Sequence, residues 1–282
     1  MTLLRLIRVD YSLLGAAGAV AGAVVNGMRA PTAQLAATAT SVFLVAASCY
    51  AFDDYFDLYA DLANGRRDRP LVTGSGNRRS AAIAGAVCFL LALVAASFSG
   101  PAILAIVAAG GAAALAYNRW LQHSFPVKNL LLAGAFPAPL ILGGLAPGSS
   151  VSPALGWCAS LAYVAGLGFE VMIDIADVEG DRANGVDTLS TRYGTRVAAR
   201  LAAAAFVTSA LLLLLPFALP VDPRLRGDLA YLLLAATAAV GAVHIARSLL
   251  SDQTPAHVFV LKRRAFGALL LGLVAFAAGA VV

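Results

Sequence analysis

The acidic residues of the chain are concentrated in two short stretches. Eleven of the 15 lie there: Asp53, Asp54, Asp57, Asp61 and Asp68 in the first, and Glu170, Asp174, Asp177, Glu179, Asp181 and Asp187 in the second. Asp53, Asp57 and Asp61 recur at helical spacing, and so do Asp174, Asp177 and Asp181. Each trio therefore shares one helix face, where like charges repel each other. We expect a cation to offset each trio.

The chemistry that these residues favour is binding of magnesium and a diphosphate. Carboxylate oxygens are hard ligands that suit Mg²⁺, which keeps waters and shares phosphate oxygens. No His or Cys lies within either stretch, which argues against zinc, copper or iron. Basic residues that could clamp phosphate oxygens lie nearby: Arg66, Arg67 and Arg69 after Asp61, Arg182 and Arg192 after Asp181, and Lys128 between the two stretches.

Aromatic residues lie close to the acids in the sequence or at comparable depth: Tyr50, Phe52, Tyr55, Phe56, Tyr59, Tyr117, Tyr163 and Phe169. Aromatic ring faces stabilise cations. A cavity with metal and diphosphate at its entrance and aromatic side chains along its walls suits ionisation of an allylic diphosphate to a carbocation. Tyr55 and Tyr59 also fit an alternative role, as residues of the membrane–water interface.

The acids must be positioned by membrane helices, because the chain is too apolar for an ordinary soluble enzyme. It has 282 residues, of which 60% are hydrophobic and 12% charged. A disordered chain is excluded by the same figures. Three scattered cysteines form neither a disulfide scaffold nor a metal motif. Since a span needs about 20 apolar residues, the sequence predicts nine spans, at 11–30, 33–56, 80–98, 101–121, 128–147, 153–177, 195–219, 228–250 and 261–282.

The distribution of basic residues predicts the orientation of these spans. With the N-terminus inside, 17 of the 20 Lys and Arg residues fall in inner segments, and only Arg29, Arg224 and Arg226 fall outside. Cytoplasmic loops carry this kind of excess. The sequence therefore predicts a multi-pass protein of the cell membrane with a cytoplasmic N-terminus and both acidic stretches near the cytoplasmic face.

The two acidic stretches also suggest an internal duplication. The first ends span two and the second ends span six, about 120 residues later. We interpret the chain as one membrane domain, residues 1–282, with two four-helix pseudo-halves at about 1–121 and 128–250 and a ninth helix. One acidic motif from each half would face a shared cavity.

At these residues the chain resembles the UbiA superfamily of intramembrane prenyltransferases. The stretch 53–61 reads DDYFDLYAD and is similar to the family's first motif, NDxxDxxxD. The stretch 174–181 reads DIADVEGD and is similar to the second. Asn64, the following Arg69-Pro70 and the N-terminal Arg5-Leu6-Ile7-Arg8 are also similar to family positions. Asp53 departs from the pattern, because the family usually has Asn there.

The resemblance implies an all-α fold of nine transmembrane helices around a central cavity with cytoplasmic cap loops. It also implies a polyprenyl diphosphate donor and Mg²⁺. The metal ligands would be Asp53, Asp57, Asp61, Asp174, Asp177 and Asp181, with Asp57, Asp61, Asp177 and Asp181 counted as catalytic. The substrate-binding residues would be Arg69, Lys128, Asp54, Asn64, Tyr117 and Arg8. The reaction is expected to be transfer of the isoprenyl group to an aromatic or lipid acceptor.

Two alternatives remain at this point. The first is a terpene cyclase that acts on the prenyl diphosphate alone, which the string Asp-Asp-x-x-Asp beginning at Asp53 keeps open. The second is an ion or proton transporter, although the acids lie at one membrane edge rather than at the midplane. Besides the bilayer and the two substrates, the sequence indicates no nucleic acid and no obligate protein partner.

Overall fold

The computed structural model describes residues 2–28, 32–117, 121, 124–146, 148 and 150–281. Within this part of the chain the regular structure is entirely α-helical. Arg29 and Arg119, which entered the charge count, lie outside the described residues, as do His123, Pro147 and Ser149.

Fourteen helices follow one another along the described residues. The first seven are α1 (Thr2–Leu6), α2 (Val9–Val25), α3 (Ala33–Phe56), α4 (Leu58–Ala63), α5 (Arg78–Ser97), α6 (Pro101–Ala116) and α7 (Val127–Gly134). The others are α8 (Ala138–Leu145), α9 (Pro153–Ala176), α10 (Val178–Ala183), α11 (Leu189–Tyr193), α12 (Thr195–Ala218), α13 (Leu229–Ser251) and α14 (Pro255–Val281).

Among the described residues, seven helical segments are long and apolar enough to cross a membrane, and α2 and α6 are shorter apolar helices. The multi-pass, all-helical architecture is therefore confirmed, whereas the count of nine spans stays a prediction. One of the seven is the segment Val127–Leu145, which is interrupted between α7 and α8. Pro137 precedes α8 there, and proline has no N–H to donate to a helical hydrogen bond.

The ends of the long helices follow from local chemistry. The Thr32 hydroxyl accepts a hydrogen bond from the Leu35 N–H at the start of α3, and Ser152 does the same for Leu155 at the start of α9. Such side chains satisfy backbone donors that a helix leaves unpaired. The predicted bounds 33–56 and 153–177 therefore agree with α3 and α9 to within one residue.

The predicted start of the last span was wrong by six residues. The helix α14 begins at Pro255 rather than at 261. The charged run Lys262-Arg263-Arg264 breaks the hydropathy signal but not the helix, because long basic side chains extend their charged ends towards the aqueous interface. As a result Lys262 lies on a helix, about two turns inside its start.

Small residues bring α2 and α8 into direct backbone contact. A Cβ at Gly143 would lie 1.8 Å from the Ala19 carbonyl oxygen, and one at Gly22 would lie 2.0 Å from the Leu140 carbonyl oxygen. Only glycine therefore fits at both positions. Close approach through small residues is a common way for helices to associate in lipid.

The long helices pack against one another in a continuous series. The helix α3 packs on α5 and α2, α2 packs on α8 and α14, and α14 packs on α13 and α9. The helix α9 in turn packs on α12 and α7. This arrangement places the C-terminal ends of α3 and α9, which carry the acidic stretches, beside the short helices α4 and α10.

Candidate active site

The two acidic stretches are built in the same way. The helix α3 ends at Phe56, and Asp57 joins it to α4. The helix α9 ends at Ala176, and Asp177 joins it to α10. Helical hydrogen bonding continues through both junctions, from the Asp61 N–H to the Asp57 carbonyl and from the Asp181 N–H to the Asp177 carbonyl. The acids at each junction therefore keep their shared helix face.

A local repeat with a period of 120 residues relates the two stretches. Asp54, Asp57, Asp61, Asn64 and Gly65 correspond to Asp174, Asp177, Asp181, Asn184 and Gly185. Both glycines have a left-handed backbone, with φ of 62° and 67°. Asp53, by contrast, corresponds to an isoleucine. This repeat is visible in the sequence alone, and it makes Asp54 rather than Asp53 the residue equivalent to Asp174.

In the first stretch, two guanidinium groups donate hydrogen bonds to Asp54. It is 1% exposed, and its Oδ1 accepts hydrogen bonds from Arg8 at 2.8 Å and Arg69 at 3.1 Å. Arg69 Nε also lies 3.4 Å from Asp61 Oδ2. Arg8 has a left-handed backbone (φ 41°) at the turn between α1 and α2. Strained residues of this kind are often found at functional sites.

In the second stretch, Lys128 occupies the matching place. Its Nζ lies 2.7 Å from Asp174 Oδ1 and 3.8 Å from Asp181 Oδ2. Asn129 donates a hydrogen bond to the other oxygen of Asp174, at 2.6 Å. Each stretch thus has a basic side chain between the acids that are seven residues apart, Arg69 in one and Lys128 in the other. The sequence did not single out Asn129.

Two contacts connect the stretches directly. The Arg66 guanidinium lies 3.3 Å from Asp177 across the two motifs, and it also pairs with Asp68. The Gly180 N–H donates to Asn64 Oδ1 at 2.9 Å, where α4 packs against α10. Asn64 therefore links the two short helices, and its contact with substrate stays a prediction. The sequence placed Arg66 near the site without a partner.

Several buried polar atoms of the site make no hydrogen bond within the described residues. They are Asp54 Oδ2, Arg69 Nε, Asn129 Oδ1 and Asp181 Oδ2. A carboxylate oxygen without a hydrogen bond in each stretch fits a shared cation.

The same part of the chain brings no three His, Cys, Asp or Glu side chains together around one point. Proteins bind magnesium through one or two carboxylates together with water and phosphate oxygens.

The acids at the ends of α3 and α9 hold their protons more strongly than usual. Burial raises the pKa of Asp57 to about 8, and the negative charges of Asp53 and Asp61 add to the shift. Burial also raises the pKa of Asp61 and of Asp181 to about 7. Clustered carboxylates without a cation repel each other and are poorly hydrated, which favours their neutral forms.

The aromatic residues divide into two groups. Tyr117 lies among the acids, where it interacts electrostatically with Glu170 and Asp53. Tyr59 is 67% exposed, and the Arg78 guanidinium lies over the rings of Tyr55 and Tyr59. Tyr55 and Tyr59 thus interact with a cation of α5, as residues of an aqueous interface do.

Other aromatic rings form a chain of contacts through the bundle. Tyr50 and Tyr11 have ring centres 6.0 Å apart, and Tyr11 and Phe266 are 4.9 Å apart. Phe266 contacts Phe169, which contacts Phe136. These rings connect α3, α2, α14 and α9, and they supply the faces that could stabilise a carbocation.

Two similar proteins align with three quarters or more of the chain. A digeranylgeranylglyceryl phosphate synthase from Archaeoglobus fulgidus is 31% identical over 277 residues, which span 98% of this chain and 94% of the relative. A protein of the same name from Methanopyrus kandleri is 32% identical over 214 residues, which span 76% of this chain and 78% of the relative.

Solved structures share the fold. An apo UbiA homologue from Aeropyrum pernix aligns with a TM-score of 0.73 at 20% identity, over 96% of this chain and 97% of the other. A UbiA homologue from Archaeoglobus fulgidus bound to GPP and Mg²⁺ aligns with a TM-score of 0.71 at 16% identity, over 98% and 99%. The model of the UbiA prenyltransferase family matches residues 13–270. The chain therefore belongs to the UbiA prenyltransferase family.

Proposed function

We propose that the protein transfers an isoprenyl group from a polyprenyl diphosphate to a lipid acceptor that carries a glyceryl phosphate, in a magnesium-dependent reaction within the membrane. The observation that carries the proposal is the pair of matched acidic motifs, each with its own basic residue, joined by Arg66 and Asn64. The relatives named digeranylgeranylglyceryl phosphate synthase support the acceptor class.

The diphosphate would lie between the motifs, with Mg²⁺ held by Asp57 and Asp61 on one side and Asp177 and Asp181 on the other. Asp53 and Asp174 complete the proposed set. Asp174 accepts bonds from Lys128 and Asn129, but each carboxylate oxygen has a second lone pair. Asp54 Oδ2 offers a further unpaired oxygen beside Asp61.

Bound magnesium would neutralise negative charge that develops on the diphosphate as its bond to C1 of the isoprenyl group breaks. Arg69 and Lys128 would donate hydrogen bonds to diphosphate oxygens and so stabilise the same charge. The diphosphate leaves with the bonding electron pair, and the acceptor hydroxyl oxygen forms the new bond to C1 and loses its proton. The aromatic rings that continue inward from Tyr50 would keep water away from C1.

The remaining topology belongs to the same proposal. Nine spans result if α2, α6 and the interrupted pair α7–α8 each cross the bilayer together with the six other long helices. A cytoplasmic N-terminus and an active site near the cytoplasmic face are supported by the excess of Lys and Arg on that side. The two four-helix pseudo-halves are supported by the 120-residue repeat of the acidic motifs.

The cyclase alternative is not favoured, because the named relatives are synthases that join a prenyl group to a glyceryl phosphate skeleton. The transporter alternative has no support from these relatives. The test also includes an aromatic acceptor, because the sequence analysis did not distinguish an aromatic acceptor from a lipid one.

The test is product analysis with the purified protein in nanodiscs. It is incubated with farnesyl or geranylgeranyl diphosphate and with a prenylated glyceryl phosphate, an aromatic acid or no acceptor, with Mg²⁺ or with EDTA. We expect a product whose mass equals acceptor plus prenyl group only with the glyceryl phosphate and Mg²⁺. A terpene formed without acceptor, or transfer only to the aromatic acid, would contradict the proposal.

A further inference from the structure

Among the residues that the structure describes, one basic side chain beside the active site has no carboxylate within ion-pair distance. Lys262 lies half-buried on α14, with its Nζ 5.7 Å from the centre of the Tyr11 ring. It interacts electrostatically with the cations Arg66 and Arg8 and, from beyond ion-pair distance, with the acids Asp68, Asp177 and Glu170. Lys262 therefore faces the same region as the acidic motifs, although it belongs to the last helix.

The other cations of the region are paired. The pairs are Arg8 with Asp54, Arg69 with Asp54 and Asp61, Arg66 with Asp68 and Asp177, and Lys128 with Asp174 and Asp181. Within the described part of the chain, Lys262 forms no ion pair and donates no hydrogen bond; its ring contact with Tyr11 is the interaction it makes at close range. A half-buried ammonium group is unfavourable without an anion, and the charges of Arg8 and Arg66 repel it.

The surroundings of Lys262 suit a phosphate attached to an apolar chain. The Arg8 guanidinium lies 4.5 Å from the centre of the Tyr50 ring, and Tyr50 contacts Tyr11. Arg66 lies over the ring of Phe259, which is on α14 one turn before Lys262. Three cations thus surround aromatic side chains of α2, α3 and α14, at the end of the aromatic contacts that continue into the bundle.

A phosphorylated acceptor creates an electrostatic problem that these residues can solve. Its phosphate must approach a donor diphosphate, so two anionic groups lie close together in a region of low dielectric constant. Of the paired cations, Arg69 and Lys128 are assigned to the donor together with the proposed metal, whereas Arg8 and Arg66 are not. A further, uncommitted cation is needed for the second anion.

We propose that Lys262, with Arg8 and Arg66 beside it, binds the phosphate monoester of the acceptor lipid. This inference rests on the proposed function, because it assumes that the acceptor carries a phosphate. It assigns to α14 the recognition of the acceptor, whereas the ends of α3 and α9 bind the donor.

The experiment compares two acceptors that differ only in the phosphate, a prenylated glyceryl phosphate and the same prenylated glycerol. For the wild-type protein, Lys262→Met and Lys262→Arg, the KM of each acceptor, the KM of the donor and kcat are measured. We expect Lys262→Met to raise the KM of the phosphorylated acceptor about tenfold, because a charge-assisted hydrogen bond is lost. The KM values of the dephosphorylated acceptor and of the donor stay within about twofold, and Lys262→Arg recovers most of the affinity.

Arg263→Met is the matched control, since it removes a neighbouring exposed charge of the same helix. We expect it to leave all three KM values unchanged. An equal rise in KM for both acceptors, or a rise in the KM of the donor, in Lys262→Met would overturn the assignment. Thermal unfolding of each variant verifies that it is folded, and Lys262→Arg supplies a second folded comparison.

A binding measurement separates this inference from the proposed function. Titration of the acceptor phosphate into nanodiscs of phosphatidylcholine needs no turnover, and we expect weaker binding to Lys262→Met even if no transfer occurs. Identical affinities for wild type and Lys262→Met would overturn the inference while transfer activity stands. If nanodiscs of phosphatidylglycerol abolish the difference between the variants, bulk lipid headgroups occupy the site, and the acceptor assignment is wrong.

Discussion

At the scale of single residues, the site is a set of acids whose charges are only partly offset by the protein. Asp54 and Asp174 are each fixed by basic or amide donors, whereas Asp57 and Asp61 have strongly raised pKa values. The metal ions of a metal–diphosphate complex would offset the negative charge of the carboxylates. Its phosphate oxygens would accept hydrogen bonds from the basic residues.

The middle acid of each motif is the most direct test of this set. We expect Asp57→Ala and Asp177→Ala each to lower kcat by at least about 10²-fold, the loss typical of removing one transition-state stabilising group. Expression and melting temperature should change little, because both residues lie at helix junctions rather than in the core. Asp252→Ala, at the C-terminal end of α13 and outside both acidic stretches, is the control. A purified Asp57→Ala or Asp177→Ala variant with full activity would refute the assignment.

The raised pKa values predict how stability depends on pH without metal. Because the folded pKa values of Asp57, Asp61 and Asp181 exceed the ordinary 3.8, the folded state binds more protons than the unfolded state between about pH 4 and 8. Their contribution to stability is complete below pH 4 and is lost as pH rises through about 7 to 8. We therefore expect the melting temperature in EDTA to fall from pH 6 to pH 8.5.

Two comparisons make this pH prediction specific. Asp57→Asn should reduce the change of melting temperature with pH, because it removes one of the titrating groups. Mg²⁺ should raise the melting temperature more at pH 8.5 than at pH 6, since it binds the ionised carboxylates. A melting temperature that is independent of pH in EDTA, or a slope unchanged in Asp57→Asn, would show that these acids are already ionised and compensated.

Sequence reasoning at this scale found the acids but not their partners. The spacing of Asp57 and Asp61, and of Asp177 and Asp181, follows from helix geometry. The pairing of Arg66 with Asp177 joins positions 111 apart, and nothing local in the sequence specifies it. The equivalence of Asp54 and Asp174 was available from the 120-residue repeat, but the resemblance to the family motif directed attention to Asp53 instead.

At the scale of elements, two contacts hold the site together. The short helices α4 and α10 meet through Asn64 and Gly180, and α2 meets α8 through Gly22 and Gly143. The first contact brings the two motifs together at one place. The second closes the bundle around them.

The junction between α4 and α10 predicts a variant that is folded but inactive. A Cβ at Gly180 would lie 2.2 Å from Asn64 Oδ1, so Asn64 must swing away and lose its hydrogen bond. We expect Gly180→Ala to lower kcat/KM for the donor at least about tenfold with a small change in melting temperature. Gly156→Ala, which meets only an ordinary contact, should change neither value. A fully active Gly180→Ala would mean that α4 and α10 need not be joined by this hydrogen bond.

The contact between α2 and α8 predicts a loss of stability. Alanine at Gly143 forces the two backbones apart, and overpacking of this kind costs about 1–3 kcal/mol. We expect Gly143→Ala to lower the melting temperature in detergent, whereas Gly134→Ala, whose Cβ would meet nothing within 4 Å, leaves it unchanged. Equal melting temperatures for the two variants would contradict the close approach of the helices.

The elements themselves were largely predictable. Apolar runs predicted α3 and α9, because hydropathy is a local signal. The break at Pro137 and the start of α14 at Pro255 were missed, since a hydropathy window averages over a single proline and the charged run at 262–264 weakens the apolar signal at the start of the helix. The short helices α4 and α10 were also missed, because they are too short to produce a periodic signal.

At the scale of the whole molecule, the charge distribution predicts the orientation in the membrane. Arg67 follows the first acidic motif and Arg226 lies between α12 and α13, and both are exposed. In a variant lacking the three native cysteines, we expect an impermeant maleimide added to intact cells to label Arg226→Cys but not Arg67→Cys. After permeabilisation both should react. The opposite pattern would place the active site on the outer face.

The central claim is that the motifs at the ends of α3 and α9 bind one diphosphate together. The most direct measurement is an experimental structure with a non-hydrolysable prenyl thiodiphosphate and Mn²⁺ in place of Mg²⁺, with the metals located by anomalous scattering. We predict metal between Asp57 and Asp61 on one side and Asp177 and Asp181 on the other, with Arg69 and Lys128 on the phosphate oxygens. A diphosphate bound by one motif alone, with the other facing away from it, would contradict the account.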